Sequence, residues 1–152
     1  MRRAEKEITD RGEQEEIIRE CQVCHVAMAD GDSPYLVAMN FGYEEGVIYL
    51  HSAVEGRKID ILRRNSRVCC AFDTGHGLVQ AETPCAWGMR FRSVIAFGTA
   101  TLLESREEKV AALQVIMNQY GEGEFSFPPA AVAKTAVIRV EIEEMTGKKT
   151  GC

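Results

Sequence analysis

The sequence predicts a mainly β (α+β) domain, with six mostly antiparallel strands curled into a small barrel and a few helices at its edge. Three observations support this fold class. Six runs rich in β-branched and aromatic residues are separated by turn residues, and several of these runs are apolar on both faces. In addition, the run from residue 89 to 104 is too long for a flat strand and has Gly98 in its middle, which indicates a bulge or a bend.

The N-terminal arm, residues 1–20, is predicted to be helical. Asp10 followed by Glu13 matches the signature of a helix N-cap, and the segment EQEEIIRECQ fits a short helix. The segment QVCHVAMAD that comes next is predicted to be the first strand. This strand ends in a run of turn residues between Asp30 and Pro34.

Residues 35–41 (YLVAMNF) and 47–52 (VIYLHS) have the composition of strands, and the GYEEG between them predicts that they form a hairpin. If this hairpin pairs symmetrically, Phe41 shares a face with Tyr49 and His51. Both faces of the hairpin would then be largely apolar, as in a sheet that is covered on both sides or curled into a barrel.

The C-terminal half contributes three more strands and a helix. Residues 66–73 (SRVCCAFD) are a predicted strand, followed by a long loop and then by the strand that contains Gly98. Ser105 and Glu108 form a capping box that begins a helix, and Gly121 ends it. The final strand, TAVIRVEIEEM, alternates apolar and charged residues, so one of its faces is predicted to be buried.

The composition is that of one soluble domain and argues against several kinds of partner. A chain of 152 residues can bury a core of its own, and a net charge of −5 argues against nucleic acid or an anionic membrane as the main partner. No apolar run reaches the roughly 20 residues that a membrane-spanning helix needs. The N-terminus lacks the apolar segment of a secretory signal, and six cysteines without such a signal favour the reducing cytoplasm.

Cys21 and Cys24 have the C-x-x-C spacing of redox and metal sites. No second pair of cysteine or histidine residues completes a zinc site, so no metal is expected. The two residues are therefore interpreted as structural thiols. Cys69 and Cys70, which lie in an apolar run, are interpreted as small hydrophobic residues.

The segment HSAVEGRKID places two cations, Arg57 and Lys58, at the start of a predicted helix. Helix N-termini carry partial positive charge and favour anions, so cations are unexpected there. One interpretation is that Ser52 and Glu55 form an ordinary N-cap and that the cations point to solvent. The other is that a phosphate group binds at this position. Backbone N–H groups, Ser52 and the two cations would hold it, and Gly56 would permit its close approach.

The sequence contains no recognisable catalytic machinery of its own. It has no triad, no G-x-S-x-G elbow and no close pair of carboxylates. His51, directly before the candidate phosphate site, is equally compatible with a structural and a catalytic role. Such a sequence fits either a binding protein or an enzyme whose cofactor performs the chemistry.

Three segments together resemble the pyridoxamine 5′-phosphate oxidase-like flavoproteins, and within them the branch of nitroimidazole-resistance (Nim) proteins. The segments are LVAMNFGYEEGVIYLHSAVEGRKIDILRRNSRVC, CAWGMRFRSVIAFGTA and GEFSFPPAAVAKTAVIRVEIEEMTGK. The resemblance covers about residues 35–148, and its most specific parts are HSA…GRK and the strand that contains Arg92 and Ser93. It implies a six-stranded antiparallel split β-barrel that binds FMN at the interface of a homodimer.

The resemblance also implies which residues contact the FMN. Arg57 and Lys58 would hold its phosphate, and His51 would be the catalytic residue. The full set of predicted cofactor-binding residues is Val37, Met39, Asn40, Phe41, His51, Ser52, Gly56, Arg57, Lys58 and Ser93. The first four would lie beside the isoalloxazine ring, and Ser93 would help to hold the flavin from the long strand.

The predicted function is that of an FMN-dependent oxidoreductase that passes electrons from reduced flavin to a small-molecule acceptor, with nitroaromatic compounds as candidates. Vitamin B6 oxidation is disfavoured, because the sequence ends soon after its last strand, without the segment with which true pyridoxamine-phosphate oxidases hold their substrate. Related branches use haem or a deazaflavin, which are therefore the alternative cofactors. The alternative function is a non-catalytic flavin or haem carrier on the same barrel.

Overall fold

Eight antiparallel strands, two more than predicted, form one sheet in the computed structural model, which describes residues 4–151. The strands are β1 (Glu7–Ile8), β2 (Cys24–Asp30), β3 (Ser33–Met39), β4 (Phe41–Glu44), β5 (Val47–Ala53), β6 (Arg67–Val79), β7 (Gly88–Leu102) and β8 (Thr135–Thr150). The helices are α1 (Arg11–Glu20), α2 (Arg57–Arg64), α3 (Arg106–Asn118) and α4 (Pro129–Ala133). Residues 1–3 of the predicted N-terminal arm lie outside the described residues.

The order of the strands requires the sheet to curl. The strands are hydrogen-bonded in the order β3-β2-β6-β7-β8-β5-β4, and β1 pairs with the C-terminal part of β8. β3 and β4 lie at opposite ends of this order, yet only Asn40 separates them in the chain. The two edges therefore meet near Asn40, and the sheet forms the predicted split barrel.

The predicted hairpin between the second and third strands is wrong. β3 instead pairs with β2 across a tight turn at Gly31, whose φ is 62°. β4 pairs with β5 across the turn Glu45–Gly46, where both residues have positive φ, as a two-residue type I′ turn requires. In this register Phe41 lies opposite Leu50, and both residues are buried in the core. His51, the residue after Leu50, therefore lies on the other face of β5, where it is exposed.

The core lies inside the barrel, and two helices pack onto it. Ile17 of α1 and Ile59 and Ile61 of α2 are buried, and the rings of Phe41 and Phe72 meet edge to face with their centroids 5.0 Å apart. Because α2 is fixed to the barrel through its apolar face, the residues at its start have a defined position.

The long strands carry two irregularities. β6 continues through the first six residues of the predicted loop to Val79, because its last residues pair with β7 after a shift in register. The predicted bulge at Gly98 is confirmed, since the register of β7 and β8 shifts there and leaves Glu143 as the extra residue. A Cβ atom at Gly98 would lie 2.2 Å from the carbonyl oxygen of Glu141, so only glycine fits.

The predicted starts of α1 and α3 are confirmed. The Asp10 carboxylate accepts a hydrogen bond from the backbone N–H of Glu13 at 2.8 Å. The Ser105 hydroxyl accepts a hydrogen bond from the backbone N–H of Glu108 at 3.2 Å and donates one to the Glu108 carboxylate at 2.8 Å, so Ser105 is the N-cap of α3. No helix within residues 4–151 combines the length and the apolar character needed to cross a membrane.

Cys21 and Cys24 are buried free thiols. Burial raises the pKa of Cys21 to about 11, and a hydrogen bond with Cys70, together with burial, raises the pKa of Cys24. Thiols with a raised pKa stay protonated at neutral pH and are poor nucleophiles. Both residues are therefore structural residues of the core, as the sequence predicts.

Candidate functional site

The start of α2 is accessible to a ligand. The N-cap of this helix is Gly56, which has a φ of 123° and no side chain that could cap the helix. The first backbone N–H groups of a helix have no partner inside the helix, so those of α2 are available to a ligand. A Cβ atom placed on Gly56 would meet nothing within 4 Å, which shows that the space beside this residue is open.

Ser52 is not the N-cap of α2, so the interpretation of an ordinary cap is wrong. Ser52 lies within β5, and its hydroxyl donates a hydrogen bond to the carbonyl of Ala53 at 2.8 Å. Three residues separate the end of β5 from Arg57, where α2 begins. The S-x-x-E pattern therefore falls across the end of a strand and not at the start of a helix.

Arg57, the first residue of α2, is held by two neighbours. Its Nη2 atom lies 3.5 Å from the Asp30 carboxylate, and its guanidinium lies 4.7 Å from the centre of the Tyr35 ring. The same carboxylate binds Arg64 at 2.7 Å. Asp30 thus restrains Arg57 and offsets part of the positive charge at the helix start.

Lys58, the second residue of α2, has a free ammonium group. It forms no hydrogen bond or ion pair with any residue between positions 4 and 151, and the residue is half-buried. Arg63, one of the cations in the last turn of the helix, lies 3.9 Å from Asp60. An anion at the helix start is therefore expected to interact most strongly with Lys58.

His51 lies near the end of β5, shortly before this helix start. It is exposed, lies opposite Val137 of β8 and shares a face of β5 with Tyr49. Within the described part of the chain, its imidazole makes no hydrogen bond or ion pair. The ring nitrogens are therefore accessible to a bound molecule.

The four residues predicted beside the flavin ring differ in their accessibility. Met39 and Phe41 are buried in the core, Val37 is half-buried and Asn40 is exposed. Met39 and Phe41 can therefore offer only backbone atoms to a ligand outside the barrel. The backbone N–H of Phe41 already donates to the hydroxyl of Tyr120 at 2.9 Å.

The outer face of β3 carries Leu36 and Ala38, two candidate contact residues that are not among the predicted cofactor-binding residues. Leu36 is 62% exposed, and Ala38 is exposed as well. Alternation along the strand could have identified them, since side chains two residues apart share a face. That signal was hidden because YLVAMNF is apolar on both faces.

Ser93 is remote from the other predicted residues along the sheet. It lies opposite Lys148 of β8, whereas Ser52 lies opposite Ala136 of the same strand. These two positions on β8 are twelve residues apart, which corresponds to roughly 40 Å of extended strand. His51 and Ser52 pair with residues near the start of β8, and Gly56, Arg57 and Lys58 follow them closely in the chain. Ser93 pairs near the other end of β8.

Comparison with known protein families agrees with this fold and with the sequence motifs. The sequence model described as pyridoxamine 5′-phosphate oxidase matches residues 10–149, which is nearly the whole chain. The chain belongs to the pyridoxamine 5′-phosphate oxidase family. No curated protein matches the sequence significantly.

Several solved structures are similar to this member of the family. A proposed 5-nitroimidazole antibiotic resistance protein of Bacteroides thetaiotaomicron VPI-5482 is 41% identical, with a TM-score of 0.86 over 94% of this chain and 86% of that one. The flavocytochrome Anf3 of Azotobacter vinelandii is 22% identical (TM-score 0.85; 96% and 70% covered). The FAD- and haem-binding protein of Mycobacterium smegmatis is 17% identical (TM-score 0.88; 97% and 74% covered). The first confirms the resemblance to nitroimidazole-resistance proteins, and the other two share the fold.

Proposed function

We propose that this member of the pyridoxamine 5′-phosphate oxidase family binds FMN and acts as an oxidoreductase that passes electrons to a small acceptor. The observation that carries the proposal is the uncapped start of α2, where the free ammonium of Lys58 follows the guanidinium of Arg57. Backbone N–H groups, an ammonium and a guanidinium form a donor set typical of phosphate sites in proteins. The residues at this position therefore fit the phosphate group of FMN.

The residues of the chain itself would bind and orient the cofactor. Lys58 would neutralise the phosphate, and Arg57, restrained by Asp30, would donate hydrogen bonds to its oxygens. Leu36 and Ala38 would present an apolar surface to the ring. The bound flavin would supply the redox chemistry, which is why the protein needs few acid–base groups of its own.

A homodimer would complete this site. Within one chain, Ser93 and the start of α2 are separated by most of the length of β8, whereas Ser93 of the partner subunit could approach the flavin held by Lys58. The exposed apolar side chains on the outer face of the sheet include Leu36 (62%), Ile95 (40%) and Phe97 (41%). Exposed apolar patches of this kind mark protein interfaces.

Replacing Phe97 by aspartate is expected to shift the protein from a dimer to a monomer. The new carboxylate would be buried in the interface without a partner, which costs several kilocalories per mole. Size-exclusion chromatography with light scattering measures the mass directly. Thr101→Asp, at an exposed position of the same strand outside the patch, is the control and should stay dimeric. A dimeric Phe97→Asp variant or a monomeric wild-type protein would contradict the proposed interface.

Replacing His51 by glutamine is expected to slow the reduction of a nitroaromatic acceptor by about 100-fold, because a general acid typically contributes a factor of this size. Because His51 is also one of the predicted cofactor-binding residues, the rate is compared with every variant fully loaded with FMN. The rate is measured by mixing the chemically reduced, flavin-loaded protein with the acceptor without oxygen. His76→Gln, at another exposed histidine, is the control. An unchanged rate would show that His51 takes no part in the reduction of the acceptor.

The absorption spectrum of freshly purified and desalted protein, recorded after separate addition of FMN and haem, tests the cofactor. Flavin bands that stay with the protein would support the proposal. A Soret band obtained with haem, without retained flavin, would assign the chain to the haem-binding members of the fold. Retained flavin without turnover of any acceptor would identify a flavin carrier, and retention of neither cofactor would overturn the proposed function.

A further inference from the structure

Arg57 and Arg64, at opposite ends of α2, share one carboxylate. They are seven residues apart in the helix, a spacing that brings two side chains to the same face. Asp30, the last residue of β2, lies beside this face. Its Oδ1 atom accepts a hydrogen bond from Arg64 Nη2 at 2.7 Å, whereas its Oδ2 atom lies 3.5 Å from Arg57 Nη2. The carboxylate is therefore bound more tightly by Arg64 than by Arg57.

The unequal distances leave most of the Arg57 guanidinium available to a ligand. Hydrogen bonds from N–H to oxygen are usually about 2.7–3.2 Å long, so the contact of Arg57 with Asp30 is weak. A guanidinium has several N–H donors, and Arg57 forms no other hydrogen bond with residues 4–151. The Tyr35 ring, 4.7 Å away, contacts the guanidinium without using any of these donors. Arg57 is thus held in place and can still bind a phosphate.

An unpaired Asp30 carboxylate would compete with a phosphate for Arg57. Both groups are oxygen anions that can accept hydrogen bonds from two N–H groups of one guanidinium. A carboxylate beside the helix start would also repel a phosphate bound there. Because Arg64 binds the carboxylate of Asp30, both effects are reduced.

We propose that Arg64 is a positioning residue of the phosphate site, because it holds the Asp30 carboxylate and so leaves Arg57 available to the phosphate. Arg64 lies in the last turn of α2, about two turns from the helix start, and acts through Asp30 and Arg57. This inference rests on the proposed function, since it requires a flavin phosphate at the start of the helix.

Replacing Arg64 by alanine is expected to lower the ratio of FMN affinity to riboflavin affinity about fivefold, which is the upper range for an exposed ion pair. Both affinities are measured by quenching of flavin fluorescence on titration with apoprotein. Low ionic strength is used because salt screens exposed charges. Arg63→Ala is the matched control, since it removes the same charge from the neighbouring position, where the partner is Asp60. It should leave the ratio unchanged.

A double-mutant cycle with Asp30→Asn tests whether Arg64 acts through Asp30. Asparagine keeps an oxygen that can accept a hydrogen bond from Arg57 but carries no charge. Asp30→Asn alone should therefore bind FMN with at least the wild-type ratio. In this background, Arg64→Ala should have no further effect, because there is no carboxylate left for Arg64 to hold. Arg64→Lys, which keeps the charge, should retain most of the wild-type ratio.

The cycle separates this inference from the proposed function. Equal ratios for Arg64→Ala and Arg63→Ala, or the same loss on Arg64→Ala with and without the Asp30 carboxylate, would contradict the positioning role. A wild-type preference for FMN would leave the phosphate site in place in either case. A wild-type protein that binds both flavins equally would overturn the phosphate site together with this inference. If Arg64→Ala does not fold, Arg64→Gln, which keeps a long side chain without the charge, replaces it in the same cycle.

Discussion

Replacing Lys58 by alanine is expected to weaken FMN binding by about 10- to 100-fold, because it removes a charge-assisted hydrogen bond to the phosphate. Riboflavin has the same ring without the phosphate, so its affinity should not change. The measurement is a titration of apoprotein into each flavin, followed by quenching of flavin fluorescence. The ratio of the two affinities isolates the phosphate contact from any general damage to the pocket.

Arg63→Ala is the matched control, since Arg63 lies in the last turn of the same helix and is paired with Asp60. It should leave both affinities near the wild-type values. The FMN affinity of Arg57→Ala should lie between those of Lys58→Ala and Arg63→Ala, because the Asp30 carboxylate already offsets part of the charge of Arg57. If Lys58→Ala loses FMN and riboflavin affinity equally, Lys58 does not contact the phosphate.

Replacing Gly42 by alanine is expected to cause a large loss of stability. A Cβ atom at this position would lie 2.6 Å from the backbone N and Cα atoms of Ile116, because β4 and α3 are in direct backbone contact there. Neither backbone can shift without disturbing its own element. Overpacking of this kind costs about 2 kcal/mol or more, which lowers the melting temperature of a domain of this size by roughly 4–8 °C.

Thermal unfolding followed by circular dichroism measures this effect. Gly88→Ala is the control, because a Cβ atom at Gly88 would meet nothing within 4 Å. Its melting temperature should match that of the wild type. If Gly42→Ala has the same melting temperature as Gly88→Ala, α3 can move away from β4 with little loss of stability.

Features governed by local chemistry could be predicted from the sequence. The caps at Asp10 and Ser105 depend on side chains that bond to backbone groups three residues away, so a short pattern is sufficient. Gly98 was recognisable because a glycine in the middle of a long β-branched run implies a bulge or close approach of another backbone. The structure confirms both kinds of feature.

Features governed by pairing between distant segments could not be predicted. The break at Asn40 sends β3 and β4 to opposite edges of the sheet, but nothing local distinguishes this arrangement from one continuous strand. β6 passes through a glycine-containing stretch that resembles a loop, and only its pairing with β7 makes it a strand. Tertiary hydrogen bonds override the local signal in both cases.

In the candidate site, too, local features could be predicted and tertiary contacts could not. Two adjacent cations at a helix start stand out in the sequence, and the structure places Arg57 and Lys58 there. The restraint of Arg57 by Asp30 and Tyr35 was not visible, because these residues come from a different part of the chain. The inward orientation of Met39 and Phe41 likewise depends on strand pairing, which the sequence does not reveal.

A flavin phosphate bound at the start of α2 is tested most directly by the affinities of the wild-type protein for FMN and riboflavin. The two ligands differ only in the phosphate, so the comparison requires no substitution. We expect FMN to bind at least about 100-fold more tightly, as two charge-assisted contacts to one phosphate imply. Equal affinities, or tighter binding of riboflavin, would contradict the claim and leave Arg57 and Lys58 as surface charges.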